Sequence, residues 1–148
     1  MGGFNLIALI VVLLSGLAMA VQGSLNSILS KITGLLEATM IVHIIGLSLL
    51  LVLYLLKFGK GSILNITSAP WYTLLGGVLG VIIIYGVMYG IPKLGVAVAT
   101  TGIIVGQVAT ALLIDHFGLF GLEKIPFSWT KGIGLILLAL GARLMLMK

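Results

Sequence analysis

Among the side chains able to hydrogen-bond or exchange a proton within, or at the ends of, long apolar runs, eight are candidates for chemistry: Gln22, Asn26, Glu37, His43, Tyr85, Thr100, Gln107 and Asp115. Gln107 lies near the centre of the uncharged stretch 95–114, and Thr100 is seven residues earlier, on the same helical face. Its amide both donates and accepts, which suits a neutral or cationic ligand or an interhelical bond. Gln22 and Asn26 are four apart and stack on one face of a helix. Tyr85 and Tyr89 are also four apart, and an aromatic face holds apolar or cationic solutes. His43 is the one imidazole inside an apolar span, and histidine is the residue type that changes charge near neutral pH. Each of these polar groups has two readings, ligand contact or a bond that glues helices together at about 0.6 kcal/mol.

The two carboxylates stand apart from that set. Glu37 precedes an apolar run, where an acid favours the helix dipole. Asp115 ends one, where the dipole disfavours it, so it reads as an acceptor for loop amides, a partner of Lys124 or Lys131, or a gating or proton-coupling group. No carboxylate sits at mid-span. That disfavours proton-coupled export of lipophilic cations and leaves neutral solutes, anions or uncoupled transport open.

Other chemistries have no residues to carry them. The chain lacks cysteine, which excludes disulfides, thiolate catalysis and cysteine-ligated metal centres. No HExxH or GxSxG motif occurs, so neither an enzyme, a metal site nor a cofactor is expected. Gly76-Gly77-x-x-Gly80 lacks the Lys-Ser/Thr of a phosphate loop. It reads instead as small-x-x-x-small packing, as do Gly86/Gly90 and Gly102/Gly106, with the helix carrying Gly102 and Gly106 the first candidate for a dimer contact.

The elements that must position these groups follow from composition. Of 148 residues, 61% are hydrophobic and 7% charged, against about 25% charged in soluble domains. The mean hydropathy is +1.35. About 20 apolar residues cross a bilayer core, and backbone polar groups in lipid are satisfied only in helices or closed barrels. The runs do not alternate as barrel strands do. An all-α integral membrane protein follows, one five-helix transmembrane domain over 1–148 with spans at about 4–29, 38–56, 71–91, 95–114 and 132–147. Pro92 is expected to end the third span. The first span lacks the basic n-region of a signal peptide and reads as a helix that is retained.

Charge sets the next constraint. The net +5 comes from singly scattered lysines and one arginine, not the clustered basic face that nucleic acid needs. Five spans place Lys57, Lys60, Lys124 and Lys131 on one side and Lys31, Lys93, Arg143 and Lys148 on the other, four against four. The positive-inside rule then selects no orientation. One reading is dual topology, with copies inserted both ways and paired as an antiparallel homodimer; the other is an orientation fixed by hydrophobicity or by a partner chain. Transporters built from inverted repeats bind substrate between them. Five helices do not divide into two such halves, so the second repeat has to be another chain.

Gln22-x-x-x-Asn26, Val42-His43-Ile44-Ile45-Gly46, Gly76-Gly77-Val78-Leu79-Gly80, Pro92-Lys93-Leu94-Gly95, Gly106-Gln107 and Asp115-His116-Phe117-Gly118 occur in that order. This ordered set resembles the YdcZ-like family, a five-helix half-size branch of the drug/metabolite transporter superfamily. The resemblance implies a multi-pass protein of the bacterial or archaeal inner membrane that exports small molecules. It also implies assembly of two oppositely oriented halves, as a homodimer or with a related chain. The expected function is export by alternating access as a dual-topology antiparallel homodimer. A dual-topology channel and an assembly subunit of a larger membrane complex are the competing readings.

Overall fold

The computed structural model of the protein describes residues 5–147. Among them five helices have the length and composition to cross a membrane, and no strand occurs. They are α1 (Leu6–Thr33), α2 (Leu35–Leu55), α3 (Leu75–Leu94), α4 (Val96–Phe117) and α5 (Trp129–Leu146). Short 3-10 turns at Ile63–Ser68 and Trp71–Leu74 lead into α3, and another at Leu119–Gly121 follows α4.

The helix ends differ from the sequence expectation for local reasons. Past residue 29, α1 continues because the Ser30 and Thr33 hydroxyls donate to the carbonyls of Ser27 (2.9 Å) and Leu29 (3.1 Å). A polar stretch is thereby accommodated without leaving the helix. Gly34 alone then separates α1 from α2, at φ 100° and ψ 158°. Pro92 does not end α3, which runs on to Leu94. Pro92 removes one ladder bond, the one its amide would make to the Met88 carbonyl, and the break falls later, at Gly95, at φ 82° and ψ 158°. Both glycines adopt a backbone conformation that residues with a Cβ rarely reach. At the start of α5, the Ser128 hydroxyl accepts from the Lys131 amide (3.4 Å) and begins the helix at Trp129.

The chain divides between Pro92 and Lys93 into two compact units. In the first, α1 packs along α2. α3 reaches α1 at Gly23, where an added Cβ would lie 2.9 Å from Val87 Cγ1 and 3.1 Å from Ile91 Cδ1. The buried residues near the Gly34 turn are small or polar on α1 and α2 (Gly23, Asn26, Ser27, Ala38, Thr39), and Met88 and Ile91 on α3 are buried too. Small side chains let backbones approach where lipid supplies no hydrophobic drive.

In the second unit α4 packs along α5. The Thr101 hydroxyl donates to Ala97 (2.8 Å) and lies 3.2 Å from the Met145 sulfur. Gly118, in the left-handed region, closes α4. The following loop then turns back. The Ile125 amide donates to the main-chain carbonyl of Asp115 (2.8 Å) and the Phe127 amide to His116 Nδ1 (3.2 Å). The Phe127 ring covers Gly132, where a Cβ would meet Cζ at 2.7 Å.

Candidate functional site

The first unit holds Gln22, Asn26, Glu37, His43 and Tyr85. Gln22 and Asn26 share a face of α1, yet Gln22 is exposed and Asn26 only 8% exposed. The difference is depth. Asn26 lies within the packed end of the hairpin, one turn nearer Gly34. At about 1.5 Å per residue, Asn26 is about 12 Å before Gly34 and His43 about 13 Å after it, so the two occupy the same level of the α1–α2 hairpin. Gln22 adjoins Gly23, the point at which Val87 and Ile91 of α3 meet α1. Tyr85, two residues before Val87 and 40% exposed, therefore lies within about a turn of Gln22 in depth.

His43 is half-buried, and its Nδ1 lies 2.7 Å from the carbonyl of Thr39. A carbonyl only accepts, so Nδ1 carries a proton and donates. That assigns Nε2 as the nitrogen open to a solute or a proton. The Thr39 hydroxyl donates to Leu35 (2.7 Å), so two successive turns of α2 are tied by side chains. Glu37 folds back so that its carboxylate covers the Gly34 Cα, where Oε2 would meet an added Cβ. It lies in the first turn of α2, whose N-cap glycine offers no side chain.

The second unit holds Thr100, Gln107 and Asp115. Thr100 is half-buried and Gln107 exposed. Gln107 sits at the midpoint of the 22-residue α4. Gly102 and Gly106 on this helix, and Gly76 and Gly80 on the third span, have nothing within 4 Å of an added Cβ. No close contact is made at these four within their own units.

Sequence reasoning passed over three residues that the structure places in defined roles. Gly23 and Gly132 are closely covered. His116 holds the α4–α5 loop; its signal was the Asp-His-Phe-Gly run at a helix end. A second signal also went unused: Gly34-x-x-x-Ala38-Thr39 is repeated as Gly95-x-x-x-Ala99-Thr100. In both, the fifth-position amide donates to the glycine carbonyl (3.0 and 3.1 Å) and the alanine is buried.

A family model described as "Putative inner membrane exporter, YdcZ" matches residues 7–144. No curated protein and no solved structure matches the chain.

Proposed function

The chain belongs to this family of inner-membrane exporters, and from that premise we propose that it works by alternating access as an antiparallel pair of five-helix halves. It is a multi-pass protein of the inner membrane, and its family is one of transporters rather than enzymes. It sits in a lipid bilayer and moves small molecules.

The observation that carries the mechanism is Gln107. A primary amide exposed at the midpoint of a membrane helix pays a desolvation cost unless something bonds to it. The open glycines Gly102 and Gly106 beside it admit a close approach. A second copy in the opposite orientation brings its own α4 to that place and its own amide to that depth. The odd helix number and the four-against-four charge count support the same arrangement.

In this reading the solute-contacting residues are Gln107 and Thr100 within the second unit and Gln22 and Tyr85 within the first, each set taken in its own unit. Asn26 fixes the hairpin near His43, whose Nε2 contacts the solute or a proton. Glu37 and Asp115, at the ends of α2 and α4, act in gating. Without a mid-span carboxylate, the site suits neutral or anionic solutes, or uncoupled flux.

An orientation assay tests the pairing. The chain has no cysteine, so Ser62→Cys gives a single label in the loop before α3. In intact cells a membrane-impermeant maleimide should label about half of the copies, and the rest only after permeabilisation. Labelling from one side alone would rule out the self-sufficient homodimer and require an oppositely oriented partner chain.

A further inference from the structure

We propose that the outer face of α2 carries a binding site for one anionic phospholipid, with an acyl chain along the helix and the headgroup at Lys57. The proposal is independent of the transport mechanism and needs only that the protein lies in a membrane.

Two adjoining cavities form the site. One, of about 490 Å³, is lined by Leu47, Leu50, Leu51, Tyr54, Phe58 and Ile63, among others. The next, of about 410 Å³, shares Tyr54 and Gly59 with it and is bordered by Lys57. From Leu47 to the end of α2 at Leu55 the groove covers about 12 Å of helix, and Phe58 continues it past the turn. Half of a bilayer's hydrocarbon core is about 15 Å. An apolar groove running from mid-membrane to the interface, with a cation at its outer end, matches a phospholipid in both length and charge. The first unit carries no acidic residue except Glu37, at the opposite end of α2, and Lys60 adds a second cation to the loop.

The backbone at Lys57 gives an independent reason. α2 ends in a Schellman turn, with the Phe58 amide donating to Leu53 (3.1 Å) and the Lys57 amide to Tyr54 (2.9 Å). The residue at this place takes the left-handed conformation and is usually glycine. Here it is a lysine at φ 59°. The turn also brings Phe58 and Leu53 together as groove lining. A lysine where the backbone favours glycine points to a use for its charge. A cation at a helix C-terminus also offsets the dipole, and the test has to separate the two.

The reporter is a single tryptophan in the groove, Leu51→Trp, in a Trp71→Phe, Trp129→Phe background reconstituted in vesicles. Dibrominated phosphatidylglycerol or dibrominated phosphatidylcholine is added at matched mole fraction, and quenching gives their relative association. Phosphatidylglycerol should be preferred about fivefold, the size expected for one lysine at an anionic surface. Lys57→Gly suits the left-handed backbone better than lysine does, so the fold should hold while the preference falls to about one. Lys57→Arg should keep the preference, as should Lys31→Gln at the other end of the hairpin. Equal quenching by the two lipids, or a preference that survives Lys57→Gly, overturns the proposal. So does a preference lost equally in Lys31→Gln, which would mark a general charge effect.

Discussion

The backbone N–H of Phe127 donates to Nδ1 of His116 at 3.2 Å and closes the α4–α5 loop onto the end of α4. An amide N–H only donates, so this imidazole must accept through Nδ1, which requires its neutral form. His43 makes the opposite bond, donating from Nδ1 to Thr39. Protonation leaves the His43 bond intact and abolishes that of His116.

The first prediction follows from that asymmetry. Asparagine presents an oxygen near the Nδ1 position and accepts in its place. His116→Ala should raise hydrogen exchange in 124–128 by about two- to tenfold, the worth of one hydrogen bond. His116→Asn, which keeps an acceptor at that place, should exchange as the unmodified protein does. Equal exchange in His116→Ala and the unmodified chain at neutral pH would show that the bond does not hold the loop.

The two glycine junctions give a matched pair. Gly34 and Gly95 have nearly the same backbone angles, so alanine at either should cost about 1–3 kcal/mol in backbone strain. Around Gly95 there is open space, whereas at Gly34 the Glu37 carboxylate is in the way. Gly34→Ala should therefore lose more than Gly95→Ala, and Glu37→Ala in the same chain should return part of the difference. Unfolding midpoints in detergent measure all three; a silent Gly95→Ala would remove the strain argument.

The spans were legible because lipid imposes one rule on every residue, and an apolar run of twenty obeys it without reference to its neighbours. The ends were not. Ser30 and Thr33 read as loop residues until their hydroxyls are seen to bond within the helix, and Pro92 reads as a stop until Gly95 is seen to be the break. The polar residues were found by type, but their surroundings depend on tertiary packing. Nothing in Gln22-x-x-x-Asn26 distinguishes the exposed amide from the buried one, because the elements that cover Asn26 are set by the Gly34 turn. His116 was overlooked because its partner is a backbone amide eleven residues away.

Glycines separate packing within the chain from packing outside it. Gly23→Ala puts a methyl 2.9 Å from Val87 Cγ1, on a β-branched side chain with little freedom, and should cost about 1–3 kcal/mol through overpacking. Gly76→Ala and Gly102→Ala meet nothing within 4 Å and gain up to about 1 kcal/mol of helix propensity. The isolated protomer should be destabilised by the first and unaffected or stabilised by the other two. A loss in Gly102→Ala confined to the assembled protein, read as dissociation in detergent, would place α4 at a contact between chains.

Cysteine cross-linking along α4 then decides the sense of that contact. The midpoint of Val96–Phe117 falls between Gly106 and Gln107. A two-fold axis in the membrane plane through this point sets position 107 beside its own copy and Gly102 within about 3 Å in depth of Ala109, which is seven residues on and on the same helical face. Gln107→Cys should therefore form a disulfide-linked dimer by itself. Gly102→Cys should not, and should link only when mixed with Ala109→Cys. Parallel copies reverse the pattern: Gly102→Cys links to itself and forms no mixed 102/109 dimer. Dimers from Gly102→Cys alone would thus overturn the antiparallel arrangement even if the chain inserts in both orientations, because pairing would then be between like-oriented copies.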